Sequence, residues 1–324
     1  MKARSSGLLL SALLVTLPLA APPANGQLEP YSEPVSLGPI GGGAISVITH
    51  PLDPNEVLVV RYALGIFRST DGGATFGVEP YGVGLDGDPR DLTQDPGDPD
   101  TLLVRDGNRL FRSTDFGATW TPLGLEGLHS SLRELAVSPT GSDLLAVDAF
   151  HAYHSGDGGA TWTIALQVVP FGGKQFYGVA YAPSDGSIAY LVHSDGPYRS
   201  TDGGVTFSPT GGPALQAKDI SISPTNPDDL LMCTAFDGMY RSTDGGATLF
   251  TVGSAAINDL HGRWFHRDPD GGVWFAGLTS THYSADGGNS WLQVAAGLGT
   301  PTPIPVTMTV DANVTWSVLE APPG

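Results

Sequence analysis

Apolar residues come in short runs along this chain, each bounded by Gly, Pro, Asp or Asn. Glu134-Leu135-Ala136-Val137 and Asp219-Ile220-Ser221-Ile222 typify the first run of a unit, and Leu144–Val147 and Leu230–Thr234 the second. Proline turns stand between them: Pro51-Leu-Asp-Pro-Asn55, Pro96-Gly-Asp-Pro-Asp100 and Pro224-Thr-Asn-Pro-Asp228. Proline presets φ and Asn or Asp accepts turn geometry, so these segments reverse the chain between two strands. A third run carries an aromatic residue, Phe67, Phe111, Tyr153, Tyr198 or Tyr240, with His282 in the last unit. A fourth begins at Phe76, Trp120, Trp162, Phe207, Leu249 or Trp291. No long stretch after the N-terminus has helical apolar spacing, so the pattern predicts an all-β chain.

The link between third and fourth runs is the most regular part. It reads Ser-x-Asp-x-Gly-x-Thr-aromatic at Ser113–Trp120 and recurs at Ser69–Phe76, Ser155–Trp162, Ser200–Phe207, Ser242–Leu249 and Ser284–Trp291. Its aspartates, Asp71, Asp115, Asp157, Asp202, Asp244 and Asp286, are 44, 42, 45, 42 and 42 residues apart. Four short antiparallel strands in such a period make one blade of a β-propeller. A lone blade exposes two apolar faces, so neighbours must stack on it. The chain therefore predicts six complete four-stranded blades. Pro305–Val310 and Val314–Leu319 add two strands of an incomplete seventh from about residue 303, and Val35–Leu37 is an outer strand without its blade. Either that N-terminal strand helps to close the seventh blade, or the chain is part of a longer protein.

The repeated motif resembles the Asp-box, or bacterial neuraminidase repeat, of sialidases, sortilin-type receptors, xyloglucan-degrading glycosidases and photosystem II stability/assembly-factor propellers. The resemblance covers about residues 35–320. It implies that the six aspartates are structural turn residues far from any substrate face, and that Arg68, Arg112, Arg199 and Arg241 of the same repeat are not substrate ligands. Repeat five departs by placing Leu249 before Phe250, and repeat six by Ser290 in the Thr place. The Phe/Tyr-Arg-Ile-Pro segment of sialidases, which carries the first carboxylate-binding arginine, is absent.

Composition then narrows the function. Gly 44 and Pro 27 suit many short strands, and a net charge of −18 excludes a nucleic-acid partner and disfavours an anionic membrane surface. Residues 1–26 read as a signal peptide: Lys2 and Arg4 precede the apolar Leu8–Leu19, and Ala24-Asn25-Gly26 offers a cleavage site. A secreted or periplasmic monomer with no membrane span is expected, with residues 27–324 as the propeller. The single cysteine, Cys233, has no disulfide partner and is expected on a buried strand. No metal or cofactor motif is present: the eight histidines lack zinc spacing and no acidic run forms a calcium loop.

Aligning the repeats on the turn prolines Pro51, Pro96, Pro139, Pro183, Pro224 and Pro269 isolates one candidate site. The sixth residue before each is Ile45, Arg90, Arg133, Tyr177, Lys218 and Arg263, and three of these basic residues precede an acid: Asp91, Glu134 and Asp219. The column starts the innermost strands, so it surrounds one mouth of the ring. Strand-end ion pairs that hold the blades in register account for it; so does a basic mouth that binds a carboxylate, sulfate or acidic peptide. Trp264, His261 and His266 are either inter-blade packing or a stacking surface for a sugar. The leading expectation is an exported, non-catalytic binding or assembly module for a protein or glycan. A secreted sialidase-like or xyloglucanase-like glycoside hydrolase is the alternative, and a propeller fragment of a larger cell-surface protein the third.

Overall fold

The computed structural model describes residues 44–320, apart from 62–63, 78–80, 86–88, 107–108, 125–131, 170–172, 216, 235–237, 253–263, 268–270, 277–279, 297–303 and 312–313. The described residues form strands and turns and no helix.

Seven antiparallel sheets follow one another along the chain, each a meander of consecutive strands. The first has three strands, β1 (Ala44–His50), β2 (Asp53–Arg61) and β3 (Gly65–Ser69). Five four-stranded sheets come next. They are β4 (Pro89–Asp95), β5 (Asp98–Asp106), β6 (Arg109–Ser113) and β7 (Thr121–Leu123); β8 (Glu134–Val137), β9 (Leu144–Val147), β10 (His151–Ser155) and β11 (Thr163–Gln167); β12 (Phe176–Ala182), β13 (Asp185–His193), β14 (Gly196–Ser200) and β15 (Ser208–Pro209). The last two are β16 (Ala217–Ile222), β17 (Leu230–Thr234), β18 (Met239–Ser242) and β19 (Phe250–Val252), then β20 (Trp264–Arg267), β21 (Val273–Ala276), β22 (Ser280–Ser284) and β23 (Leu292–Ala296). A pair, β24 (Ile304–Asp311) and β25 (Val314–Glu320), ends the series.

Among the described residues, the first sheet has three strands, without the fourth that Phe76 predicts. The chain still returns along β3: Gly77 N donates to Arg68 O at 3.0 Å and Tyr81 N to Ile66 O at 2.6 Å.

Sheets stack on one another, and the core lies between them. One cluster joins Leu145, Val147 and Ala152 of the third sheet to Val179, Leu191 and Phe207 of the fourth repeat. Another joins Tyr190 and Val192 to Ile220, Leu230 and Met232 of the fifth. The second strands are covered on both faces, and this is why they read as unbroken apolar runs. Leu144–Val147 and Leu230–Thr234 are buried at every position. Cys233 fills one of these positions.

The meander gives each sheet two distinct ends. The starts of the first strands and the hairpins between second and third strands share one end, the mouth end. The proline turns and the Ser-x-Asp turns share the other, the turn end. Successive first strands β1, β4, β8, β12, β16, β20 and β24 lie side by side, and β24 also lies against β1.

Candidate functional site: the mouth end and the aspartate turns

At the turn end, six aspartates sit in one repeated geometry. Each Ser hydroxyl donates to the first Asp carboxylate oxygen at 2.7–2.8 Å. The same Ser oxygen accepts the N–H of the glycine four residues on, at 2.8 Å in every repeat. The carboxylate then accepts the backbone N–H of the Thr, or Ser290, at 2.8–2.9 Å. Its second oxygen takes the hydroxyl of that residue at 2.6–2.7 Å. The Thr75 hydroxyl and amide and the Ser69 hydroxyl hold Asp71 down at about 2, below the ordinary 3.8, and Thr161 and Ser155 do the same for Asp157. A carboxylate satisfied by its own turn and held ionised is a structural group.

The two glycines of most turns take positive φ, 71° at Gly72 and 86° at Gly73. Repeat two has Phe116 in the first of these places, and it adopts φ 50° without being glycine. Its ring compensates: Phe116 is buried in the first core cluster, edge-on to His50 with ring centroids 4.8 Å apart.

Three of the four arginines beside the turns form ion pairs. Arg68 pairs with Glu56 at 2.6 Å, Arg199 with Asp228 at 2.6 Å and Arg241 with Asp229 at 2.9 Å. Each acid comes from a proline-turn segment, so the ion pairs brace one turn against another.

The mouth end brings part of the aligned column together. Tyr177, on β12, stands between two cations from neighbouring repeats. Lys218 Nζ lies 3.5 Å from the centre of its ring and Arg133 Cζ 5.5 Å. Arg133 is held in place by donating to the Phe176 carbonyl and to Gln175 Oε1, both at 2.7 Å. Gln175 Nε2 in turn donates to the Tyr177 hydroxyl at 3.0 Å. Burial pushes the phenol up, but the bonds with Gln175 and Lys218 and the Lys218 charge outweigh it, so Tyr177 lies below its usual value. All four side chains are half-buried, which leaves them polar surface. Those two bonds use two of the five N–H groups of the Arg133 guanidinium.

The acids of the column have a different role from their basic neighbours. Glu134 Oε2 accepts the N–H of Val179 on the next sheet at 3.1 Å. Gly178 makes room for it, since a Cβ there would stand 2.2 Å from that oxygen. Asp219 repeats this contact one pair of sheets later: it accepts the amides of Ile220, at 2.7 Å, and of Phe265 on β20. Burial pushes the Asp219 carboxyl up to about 7, against the pull of those two amides. Across the ladder it faces Cys233, whose thiol is raised by burial and by the Asp219 charge.

Arg90 starts the second sheet beside Arg105, its partner across the β4–β5 ladder. Arg263 and His261, and the side chains of Asp91, Trp264 and His266, lie outside the described residues. Sequence alignment missed Gln175, which no repeat position flags, and Tyr177 as the meeting point of two cations. The signal for Tyr177 was there, as the one aromatic residue in a basic column.

No protein-family model and no curated protein matches the sequence. Solved structures do. An ancestral GH74 enzyme superposes with a TM-score of 0.72 at 18% identity, covering 88% of this chain and 44% of that one. YCF48 bound to D1 peptide gives 0.62 at 16% identity, covering 88% and 91%, and YCF48 from Cyanidioschyzon merolae gives 0.64 at 16%, covering 89% and 94%. The chain thus spans less than half of the GH74 enzyme and nine-tenths or more of YCF48. Together with the stacked four-stranded meanders, these likenesses identify the fold as a β-propeller.

Proposed function

We propose that this chain is an exported, monomeric Asp-box propeller that holds an acidic segment of a partner protein at its mouth end, without catalysis. The observation that carries the reading is the meeting of Arg133 and Lys218 on Tyr177, in a chain of net charge −18. Two cations from different repeats, with a phenol and an amide between them, offer fixed donors to a carboxylate. Arg90 and Arg263 extend the same column, and Glu134 and Asp219 tie neighbouring sheets together through backbone amides. The likeness to YCF48, solved with a peptide, supports a peptide partner. We also infer a seven-bladed ring, supported by β24 lying against both β20 and β1.

The test is fluorescence anisotropy with a labelled Asp/Glu-rich peptide and the mature chain. Arg133→Ala with Lys218→Ala should weaken binding about tenfold or more, the worth of two charged hydrogen bonds, while circular dichroism is unchanged. Equal affinity for wild type and the double variant would remove the reading.

A second reading is a glycoside hydrolase, favoured by the likeness to the GH74 enzyme. A glycosidase needs two facing carboxyls, and Glu134 and Asp219 each bind backbone amides of a neighbouring sheet instead. Turnover of a xyloglucan oligosaccharide or a fluorogenic sialoside, abolished by one carboxylate-to-amide change at the mouth end, would establish it.

A further inference from the structure

We infer that the turn end carries a second binding site, a polar cleft between the fourth and fifth repeats that accepts one neutral sugar unit. The site is independent of the mouth-end cations and lies at the opposite end of the sheets.

The cleft arises from a break in the repeat. At three junctions, a leucine of one sheet's second strand packs against the second glycine of the next turn. A Cβ on Gly117 would stand 3.1 Å from Leu58, one on Gly204 2.7 Å from Leu145 and one on Gly288 2.7 Å from Leu231. Tyr190 holds that position in the fourth sheet, paired with Arg199 as Leu145 is with His154 and Leu231 with Arg241. Its hydroxyl reaches away to the Pro227 carbonyl at 3.0 Å. Gly246 is covered instead by Pro197 and by Thr210, at 3.1–3.2 Å. At the junction of repeats two and three, Leu123 covers Gly159 at 2.7 Å. Thr210 thus stands in the fourth repeat where Leu123 closes the joint of repeats two and three.

The result is a cavity of about 310 Å³ lined by Arg199, Thr201, Thr206, Ser208, Thr210 and Asp244, among others. That is the small end of the roughly 300–1,000 Å³ found for ligand sites. Donors and acceptors alternate around it. Thr206 and Thr210 give their protons to Asp202 at 2.6 Å and to the Pro197 carbonyl at 3.1 Å, which leaves each oxygen able to accept. Thr201, Thr206 and Ser208 of the lining are exposed, so their hydroxyls are open to a ligand. Charge selects the ligand class: Arg199 is paired with Asp228 at 2.6 Å, and Asp244 is held by Ser242 and Thr248 of its own turn, so neither charge of the lining is free to favour an ion. A neutral polyol is what remains, and its adjacent hydroxyls each donate and accept. No aromatic plate lines the cleft, so recognition is by hydrogen bonds.

Saturation-transfer NMR on the full chain tests this, with methyl α-glucoside, methyl α-mannoside, methyl β-galactoside and N-acetylglucosamine as probes. At least one should bind with a Kd of about 1–10 mM, the range open to so small a ligand. Thr210→Leu, which rebuilds the closed joint, should abolish the signal. Ser208→Trp, at an exposed position, should do so without risk to folding. Arg133→Ala should leave it intact, which separates this site from the mouth end. No saturation transfer from any of the four sugars, or transfer that survives both cleft variants, would overturn the inference.

Discussion

The carboxylates at the two ends of the sheets accept the same kind of hydrogen bond and answer to opposite forces. Hydroxyl and amide donors hold Asp71 and Asp157 at the turn end near 2. Asp219 at the mouth end also accepts two amides, yet burial carries it to about 7. The balance of burial against donors decides whether a carboxylate here is a permanent anion or a titrating group, and at Asp115, Asp202 and Asp286 the donors prevail over burial. A second difference concerns reach. The turn-end acids satisfy residues within four positions of themselves, whereas Glu134 and Asp219 each bind an amide of the next sheet. Turns are built locally; register between sheets is built across the joint.

The strongest way to break this contrast is Gly178→Ala. The new Cβ would stand 2.2 Å from Glu134 Oε2 and expel the carboxylate from the joint between the third and fourth sheets. A loss of about 3 kcal/mol is expected, combining overpacking with a lost charged hydrogen bond, read from urea unfolding. At the other end, Ser113→Ala removes a hydroxyl that holds both Asp115 and the buried Gly117 amide. That should cost about 2 kcal/mol, and the same change at Ser155 should cost as much, since the two turns make the same hydrogen bonds. Unequal losses at the two would show that Phe116, in a glycine place, alters its turn.

The smallest effect is the sharpest in sign. Asp71 and Asp157 have folded values below the ordinary 3.8, so they contribute stability that is complete above about pH 4 and lost as pH falls toward 2. Asp219 is raised, so the folded chain keeps a proton that the unfolded chain releases. Its contribution is complete below about pH 4 and is lost as pH rises to 7. Unfolding midpoints from pH 3 to 8 should therefore fall at both ends of the range. Asp219→Asn should flatten the upper slope alone, and Asp71→Asn should reduce the lower one.

Much of the molecule was legible in the sequence because its period repeats local chemistry. The six Ser-x-Asp turns could be read as self-satisfied corners, since every donor and acceptor of a turn lies within one repeat. What crosses between repeats was harder to read. The basic column was visible, but alignment could not show that Arg133 and Lys218 converge on Tyr177, because that depends on how two sheets stack. Nor did spacing reveal that Glu134 binds the Val179 amide, since any acid near a strand start could as well pair with a cation. The cleft at Thr210 did leave a mark, as Tyr190 in a leucine column, and only the structure showed that the substitution opens space.

Arg133 and Lys218 meet around Tyr177 in a chain whose net charge is −18, so near and far charges act on a partner with opposite sign. At low ionic strength an acidic partner meets the field of the whole particle, net −18, and is repelled before it can find the cations around Tyr177. Near physiological salt the screening length shrinks to about 8 Å, so the remote turn-end aspartates fade while Arg133 and Lys218 still act at contact. Association with an acidic peptide should therefore quicken as salt is first added and weaken only beyond that, a reversal of the usual dependence for oppositely charged partners.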